Sequence, residues 1–300
     1  MSISAALNRI AKQAVYGLLA LESAQPLVRS QFYRSILRKL PPETRWPLLR
    51  TLKGEVSLRV SVAGMDFSLI TSSKDDHFVN AWLDGLTKWE VAPLAAWRQV
   101  CQQAQVVIDV GAYSGVYSIT AALAGAKRVI AYEPNPASVG MLHQNIQENG
   151  LKDRVDVREC ALSEKSGSTE MIVPIGREGS SGAQLAQVST DRDLSNWETA
   201  CVVSVVRLDD DVAPEVHVQV EAIKIDAEGN ELRVLQGAEG IFAVAKPVIF
   251  VECLSGRAFF EVTKYLEKFG YVGTPLDGAV PDPASIHHSA AGTATNFQFR

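Results

Sequence analysis

Three hundred residues exceed one typical domain, and 47% hydrophobic against 21% charged residues describes a globular protein with apolar surface for a sizeable core. A net charge of −5 provides no overall basic field of the kind that draws nucleic acid. Cys101, Cys160, Cys201 and Cys253 lie far apart with no Cys-x-x-Cys spacing, which speaks against a zinc cluster or a disulfide scaffold.

The charge is uneven along the chain. Residues 1–54 carry nine Lys or Arg against Glu22 and Glu43, a sum of +7, so the remaining residues must sum to −12 to leave −5 overall. Such asymmetry suits peripheral contact with an anionic membrane or an acidic partner, and its ordinary counterpart is a solvated helical face. Helical spacing runs through this segment with breaks at Pro26 and at Pro41–Pro42, and its apolar face suits a homodimer interface. Arg9 and Lys12 precede the apolar residues 14–21, which are short for a signal peptide, contain Tyr16, and read as one face of a helix. No run approaches the roughly 18 apolar residues that a membrane span needs, so a cytoplasmic location is expected, with contact to the inner membrane face as an option.

After Gly54 the period changes to two, through Val56, Leu58, Val60 and Val62 and then Phe67 and Leu69, which predicts a β-hairpin. Residues 77–101 read as helix with Trp82, Trp89 and Trp97 among the apolar positions. Residues 1–101 are therefore an accessory region and 102–300 the main domain. From Gln105 short apolar runs alternate with helical segments. Strands are predicted at 106–110, 128–132, 155–159, 222–225, 248–251 and 271–273, with an added pair at 169–173 and 202–206 and an edge strand at 296–299. Helices are predicted at 114–123, 137–149, near 231–244 and at 258–269. This alternation implies a doubly wound α/β fold around a mainly parallel sheet of seven strands.

Ligands of such sheets bind beyond the carboxyl ends of the strands, where strand order reverses. Four strands leave through acids there, at Asp109, Glu133, Asp226 and Glu252. Gly111 and Gly115 permit a sharp turn and close approach to a ligand, but Gly-x-x-x-Gly is not the dinucleotide fingerprint, and a plain tight turn explains it equally well. Asp109 suits an ammonium group and the loop amides a carboxylate, the two ends of an amino-acid zwitterion. Glu133, 22 residues past Gly111, suits a ribose diol, against the plainer reading of an acid beside a proline turn.

The runs Val107–Ala112, Tyr132-Glu133-Pro134-Asn135-Pro136, Ala161-Leu162-Ser163-Glu164, Val206-Arg207-Leu208-Asp209-Asp210, Ile223–Glu231 and Val234–Ala238 resemble the FkbM family of methyltransferases in order and spacing over residues 105–255. The family usually has Asn where this chain has Tyr113. The resemblance implies a Rossmann-like, class I methyltransferase fold. It also implies S-adenosylmethionine held by Asp109, Gly111, Ala112, Tyr113, Gly115, Glu133 and Pro134, with Cys160 and Ala161 near the adenine, and O-methylation of a sugar, polyketide or related small molecule.

Methyl transfer is an in-line displacement, and an unactivated hydroxyl needs a base within hydrogen-bond reach. Asp226 or Glu228 can act as that base, with Lys224 in the same layer; alternatively Asp226 and Glu252 hold a Mg2+ ion that acidifies the hydroxyl. The plain alternatives are a structural Lys224–Asp226 ion pair and a helix N-terminal acid at Glu228. Glu90 reaches the cofactor or is a helix-surface acid. His287 and His288, and Gly179-Ser180-Ser181-Gly182, are loop candidates for closing over the site. Two readings of other classes remain open at this point. One is an NAD(P)-dependent oxidoreductase, which shares the ribose acid but lacks the glycine spacing; the other is a catalytically silent scaffold that binds a partner or membrane through its basic segment.

Overall fold

The computed structural model describes residues 33, 36, 37, 39, 40, 55–72, 81, 85–175, 182–186, 195–276 and 295–300. Most of the basic segment, Trp82, residues 179–181 and the pair His287–His288 lie outside the described residues. The chain divides into two compact units, residues 1–62 with 66–89, and residues 63–65 with 90–300. Helix α1 (Val91–Cys101), which the sequence places in the accessory region, groups with the larger unit.

The predicted hairpin forms from β1 (Glu55–Val62) and β2 (Met65–Ser72). Leu58, Val60, Val62, Phe67 and Leu69 are buried while Glu55, Ser57 and Arg59 face solvent, the alternation expected of a half-buried pair.

The larger unit is built on a seven-stranded sheet. In chain order its strands are β3 (Val106–Val110), β4 (Arg128–Tyr132), β5 (Val155–Arg158), β10 (Val220–Ile225), β11 (Val248–Cys253), β12 (Gly273–Pro275) and β13 (Thr295–Phe299). Their spatial order is β12-β13-β11-β10-β3-β4-β5. The pairs from β5 through to β11 are all parallel, with Asp109 beside Ala131 on one side and Lys224 on the other. From β3 the chain winds outward through β4 and β5, then returns to β10 and continues the other way. The reversal therefore lies between β3 and β10, where the strand-end crevice opens. Thr295–Phe299, predicted as an edge strand, is instead an inner strand, antiparallel to both β11 and β12.

Every residue of β3 is buried, which is why its sequence is a continuous apolar run. One face packs α1 and α2 (Val116–Ala124), with Trp97 edge-on to both Tyr117 and Phe250. The other face buries Ile108, Val110, Tyr132, Ile223, Ile225 and Val251 with Leu235, Ile241, Phe242 and Leu266. These last four side chains come from α6 (Glu231–Gln236), α7 (Glu239–Val244) and α8 (Gly256–Glu267). The helix predicted near 231–244 is thus two helices.

The added pair at 169–173 and 202–206 forms as β7 (Gly167–Pro174) and β9 (Trp197–Val206), but outside the main sheet. They join β6 (Ala161–Leu162) and β8 (Gln184–Leu185) in a separate four-stranded sheet around Met171, Leu185, Val203 and Val205.

Candidate active site at the strand ends

The glycine turn after β3 has the backbone its sequence requires, with Gly111 at φ +78° and Gly115 at +91°. Its orientation differs from expectation. A Cβ on Gly111 would lie 1.8 Å from the Asp226 carbonyl oxygen, and one on Gly115 would lie 2.6 Å from Leu142 Cδ1. The missing side chain at Gly111 therefore lets backbone approach backbone, while at Gly115 the left-handed φ is the firmer constraint, since Leu142 Cδ1 is the tip of a flexible side chain. The amides of the turn are also committed internally. Gly111 and Ala112 donate to the Tyr132 carbonyl (2.9 and 3.0 Å), Tyr113 donates to Glu133 Oε2 (2.8 Å), and Gly115 donates to the Ala112 carbonyl (2.8 Å). Asp109 sits beneath the turn, 1% exposed, and accepts the Ser118 hydroxyl at 2.6 Å. Burial pushes its carboxyl up to about 6, against the pull of Ser118 and Lys224.

Glu133, 6% exposed, joins two strand exits. One carboxylate oxygen accepts Tyr113 N–H and the other Asn135 N–H, both at 2.8 Å. Each oxygen keeps a further lone pair, the pattern that can receive two vicinal hydroxyls. Burial pushes Glu133 up to about 7, while the two amides pull it down. Tyr113 itself stands at φ +50°, in the left-handed region that Asn tolerates better than Tyr. The departure from the family's Asn is therefore a matter of backbone conformation, and the bond to Glu133 helps to hold it. Pro134 is half-buried, and Asn135 caps α3 (Pro136–Glu148). Cys160 is half-buried just ahead of β6, its thiol pushed up to about 11 by burial and by Asp211, and Ala161 is buried in β6.

The open edge of the crevice is the exit of β10. Lys224 is only 2% exposed, with Nζ 3.5 Å from Asp226 Oδ2 and 4.7 Å from the Tyr117 ring centroid. Burial alone would lower its pKa; the carboxyls of Asp226, Glu252, Glu90 and Asp109 override it and hold the ammonium charged. The Asp226 side chain is 32% exposed, so it is reachable, while its backbone N–H is tied to Val110. Glu252, from the neighbouring strand end, hydrogen-bonds Asp226, and burial together with that neighbour raises it well above the carboxyl range. Glu228 follows at φ +50° and Gly229 at +98°.

That turn is held by a residue that sequence reasoning left in its motif without a role. Glu231 Oε1 accepts both Ala227 N–H (3.1 Å) and Gly229 N–H (2.8 Å), and burial pushes it up to about 7. Three further contributors were missed or only touched on. Ser118 bonds Asp109. Tyr117 donates to Glu90 at 2.5 Å while its ring covers Lys224. Trp97 donates to the Tyr117 carbonyl at 3.0 Å. Glu90 stands ahead of α1 at φ +41°. The spacing of these residues carries no motif; only the packing of α1 on α2 unites them. Among the described residues no group of three or more His, Cys, Asp or Glu side chains converges as ligands of an ion would.

A doubly wound sheet that reverses beside β3, with a glycine turn at the exit of β3 and acids at the exits of β4, β10 and β11, defines a Rossmann-like domain. Residues 109–272 match the family profile described as the methyltransferase FkbM domain. The chain belongs to the FkbM methyltransferase family. Among curated proteins it is 39% identical over 67 residues to ribosomal protein L11 methyltransferase of Geobacter sp. (strain M21), which covers 22% of each chain. The same enzyme of Bacillus cereus (strain ATCC 10987 / NRS 248) matches at 38% over 81 residues, or 27% and 26%. The chain thus spans about a quarter or less of the length of these relatives. Of solved structures, the methyltransferase FkbM of Methylobacillus flagellatus KT aligns at TM-score 0.44 and 18% identity, covering 66% of this chain and 44% of that one. An S-adenosylmethionine-dependent O-methyltransferase of Thermotoga maritima aligns at 0.43 and 15%, covering 80% and 76%.

Proposed function

We propose that the protein transfers the methyl group of S-adenosylmethionine to a hydroxyl of a sugar, polyketide or related small molecule, with Asp226 as the base. Asp226 carries this reading: it is the reachable carboxylate at the point of strand reversal, and a buried cation is beside it. The donor set suits a sulfonium nucleoside, because Glu133 retains acceptor capacity on both oxygens and the surrounding charges are mostly carboxylates. The cofactor, when bound, would supply an electrophilic methyl that a nucleophilic oxygen takes up with loss of the neutral thioether. Glu133 would hold the ribose diol, with Pro134, Cys160 and Ala161 beside the base. Asp109, closed off by the turn and by Ser118, contributes negative charge from below rather than a direct contact.

In catalysis Asp226 Oδ would take the proton of the acceptor hydroxyl as its oxygen bonds to the methyl carbon and the carbon–sulfur bond breaks. Lys224 holds that carboxylate in place without competing for the acceptor, since it is buried. Glu228, strained and half-buried at the rim, is better suited to lining the entrance than to proton transfer. We prefer direct base catalysis to a route in which Asp226 and Glu252 hold a Mg2+ ion, because Asp226 is already paired with the buried Lys224 ammonium. Peripheral membrane contact through residues 1–54, a homodimer and a cytoplasmic setting belong to the same proposal. No described helix is long and apolar enough to cross a membrane.

Calorimetry with S-adenosylmethionine, its demethylated product and NAD tests the cofactor. Binding of the first two and not the third is expected, and binding of NAD alone would sink the proposal. Incubation with methyl-labelled cofactor and fractionated extract then identifies the acceptor.

A further inference from the structure

We propose that Tyr117 is a positioning residue, whose ring face holds the Lys224 ammonium beside Asp226 and so fixes the orientation of the base. It deepens the reading of Asp226 as the base and rests on that reading for its catalytic meaning. A lysine carries a compact charge on a flexible four-carbon stem, so its burial does not by itself decide where the charge sits. The Lys224 ammonium meets the Asp226 carboxylate with Nζ 3.5 Å from Oδ2. A tight charge-assisted bond spans roughly 2.7–2.9 Å, so the ion pair alone leaves the carboxylate latitude. The ring supplies the missing constraint, its centroid 4.7 Å from Nζ. An aromatic face attracts a cation without adding a charge of its own, so it retains the ammonium and does not draw it away from Asp226.

The ring is held in its turn by three contacts. Its hydroxyl donates to Glu90 Oε2 at 2.5 Å. The Tyr117 carbonyl accepts the indole N–H of Trp97 at 3.0 Å, and the two rings meet edge to face with centroids 6.0 Å apart. Trp97 is fully buried and packs edge-on to Phe250 of β11 as well. Three elements, α1, α2 and β11, thus fix the ring, and the ring fixes the ion.

The place of Tyr117 in the chain gives this contact its reach. It lies at the start of α2, just after the glycine turn, and the next residue, Ser118, donates to Asp109. The first turn of one helix therefore addresses the exits of β3 and β10 together. Tyr117 acts on the chemistry through Lys224 and Asp226.

A series at position 117 that keeps the shape of the ring and drains its face of negative charge separates positioning from packing. Tyr117→Phe keeps the ring face and should retain labelled methyl transfer to within about threefold. Mono-, di- and trifluorophenylalanine, placed at position 117 of the full chain, weaken that face progressively at nearly constant volume. At saturating S-adenosylmethionine, transfer to the acceptor fraction should fall stepwise by roughly tenfold across the series, with cofactor affinity by calorimetry level. A flat series, or a matching fall in cofactor affinity, overturns the proposal.

A second measurement needs neither cofactor nor acceptor. In nuclear magnetic resonance spectra with isotope-labelled lysine, the Lys224 ε-methylene signal is assigned by its loss in Lys224→Met. It should be shielded by the ring in the unmodified chain and in Tyr117→Phe, and lose that shielding in Tyr117→Leu. Exposed Lys268, 5.1 Å from the Tyr265 ring centroid, serves as the reference. An unshielded Lys224 in the unmodified chain, or shielding that persists in Tyr117→Leu, overturns the proposal. Shielding that behaves as expected while no extract fraction accepts a methyl group supports the clamp and overturns the methyl-transfer reading instead.

Discussion

The two turns that frame the crevice are held by the same device and put it to opposite ends. After β3, a carboxylate from the next strand exit, Glu133, binds the turn across 20 residues of sequence. After β10, Glu231 binds its own turn, accepting the Ala227 N–H only four residues back. The first joins two strand ends and closes over Asp109; the second is local and leaves Asp226 reachable. A long-range staple makes a frame, whereas a local one shapes a protruding edge without covering it. Frame and edge meet where Gly111 abuts the Asp226 carbonyl.

The contrast can be broken most forcefully at that meeting point. Gly111→Ala places a methyl within 1.8 Å of a carbonyl oxygen at a positive φ, so urea titration should show a loss of about 3 kcal/mol or more, or no folded protein. On the edge, Asp226→Asn should lower labelled methyl transfer roughly 100-fold while calorimetry finds cofactor affinity little changed. On the frame the pattern should invert. Glu133→Gln should weaken cofactor binding about tenfold by calorimetry, with transfer at saturating cofactor nearly retained.

Glu133 also carries a pH signature. Its folded value, about 7, lies above the ordinary 4.5, so its contribution to stability is full below about 4.5 and is lost as pH rises through about 7. Glu133→Gln should consequently gain on the unmodified protein in melting temperature between pH 5 and 8. The smallest effect is expected at Glu228→Asn, which relieves a left-handed Glu and should stabilise by about 0.5 kcal/mol in urea titration. Transfer activity should persist in that variant, and its loss would move Glu228 from the rim into the chemistry.

Much of the frame was legible in the residues. β3 and β4 begin and end at the predicted residues, and the acids at their exits, Asp109 and Glu133, stand out because a parallel strand buried on both faces is otherwise apolar there. The partners of those acids were not legible. Glu252 meets Asp226 only because β11 pairs in register with β10, and Tyr117 covers Lys224 only because α2 lies over that face. Neither register nor helix placement leaves a local mark. The glycine turn misled in an instructive way: positive φ was readable from residue type, but not which side the bare Cα would turn to. The position of β13 was missed for a similar reason, since a short strand pairs wherever an open edge waits, and sequence distance says nothing of which.

That strand has one more consequence. Thr295–Phe299 is wedged antiparallel between β11 and β12, so the sheet is completed from the side rather than extended from the rim. Clipping away residues 295–300 would bare the backbone groups of β11, orphan the short β12 and strip the Phe259 ring of its stacking partner Phe297. An exposed flank of that kind recruits other chains, so a shortened protein should precipitate well before its crevice is damaged.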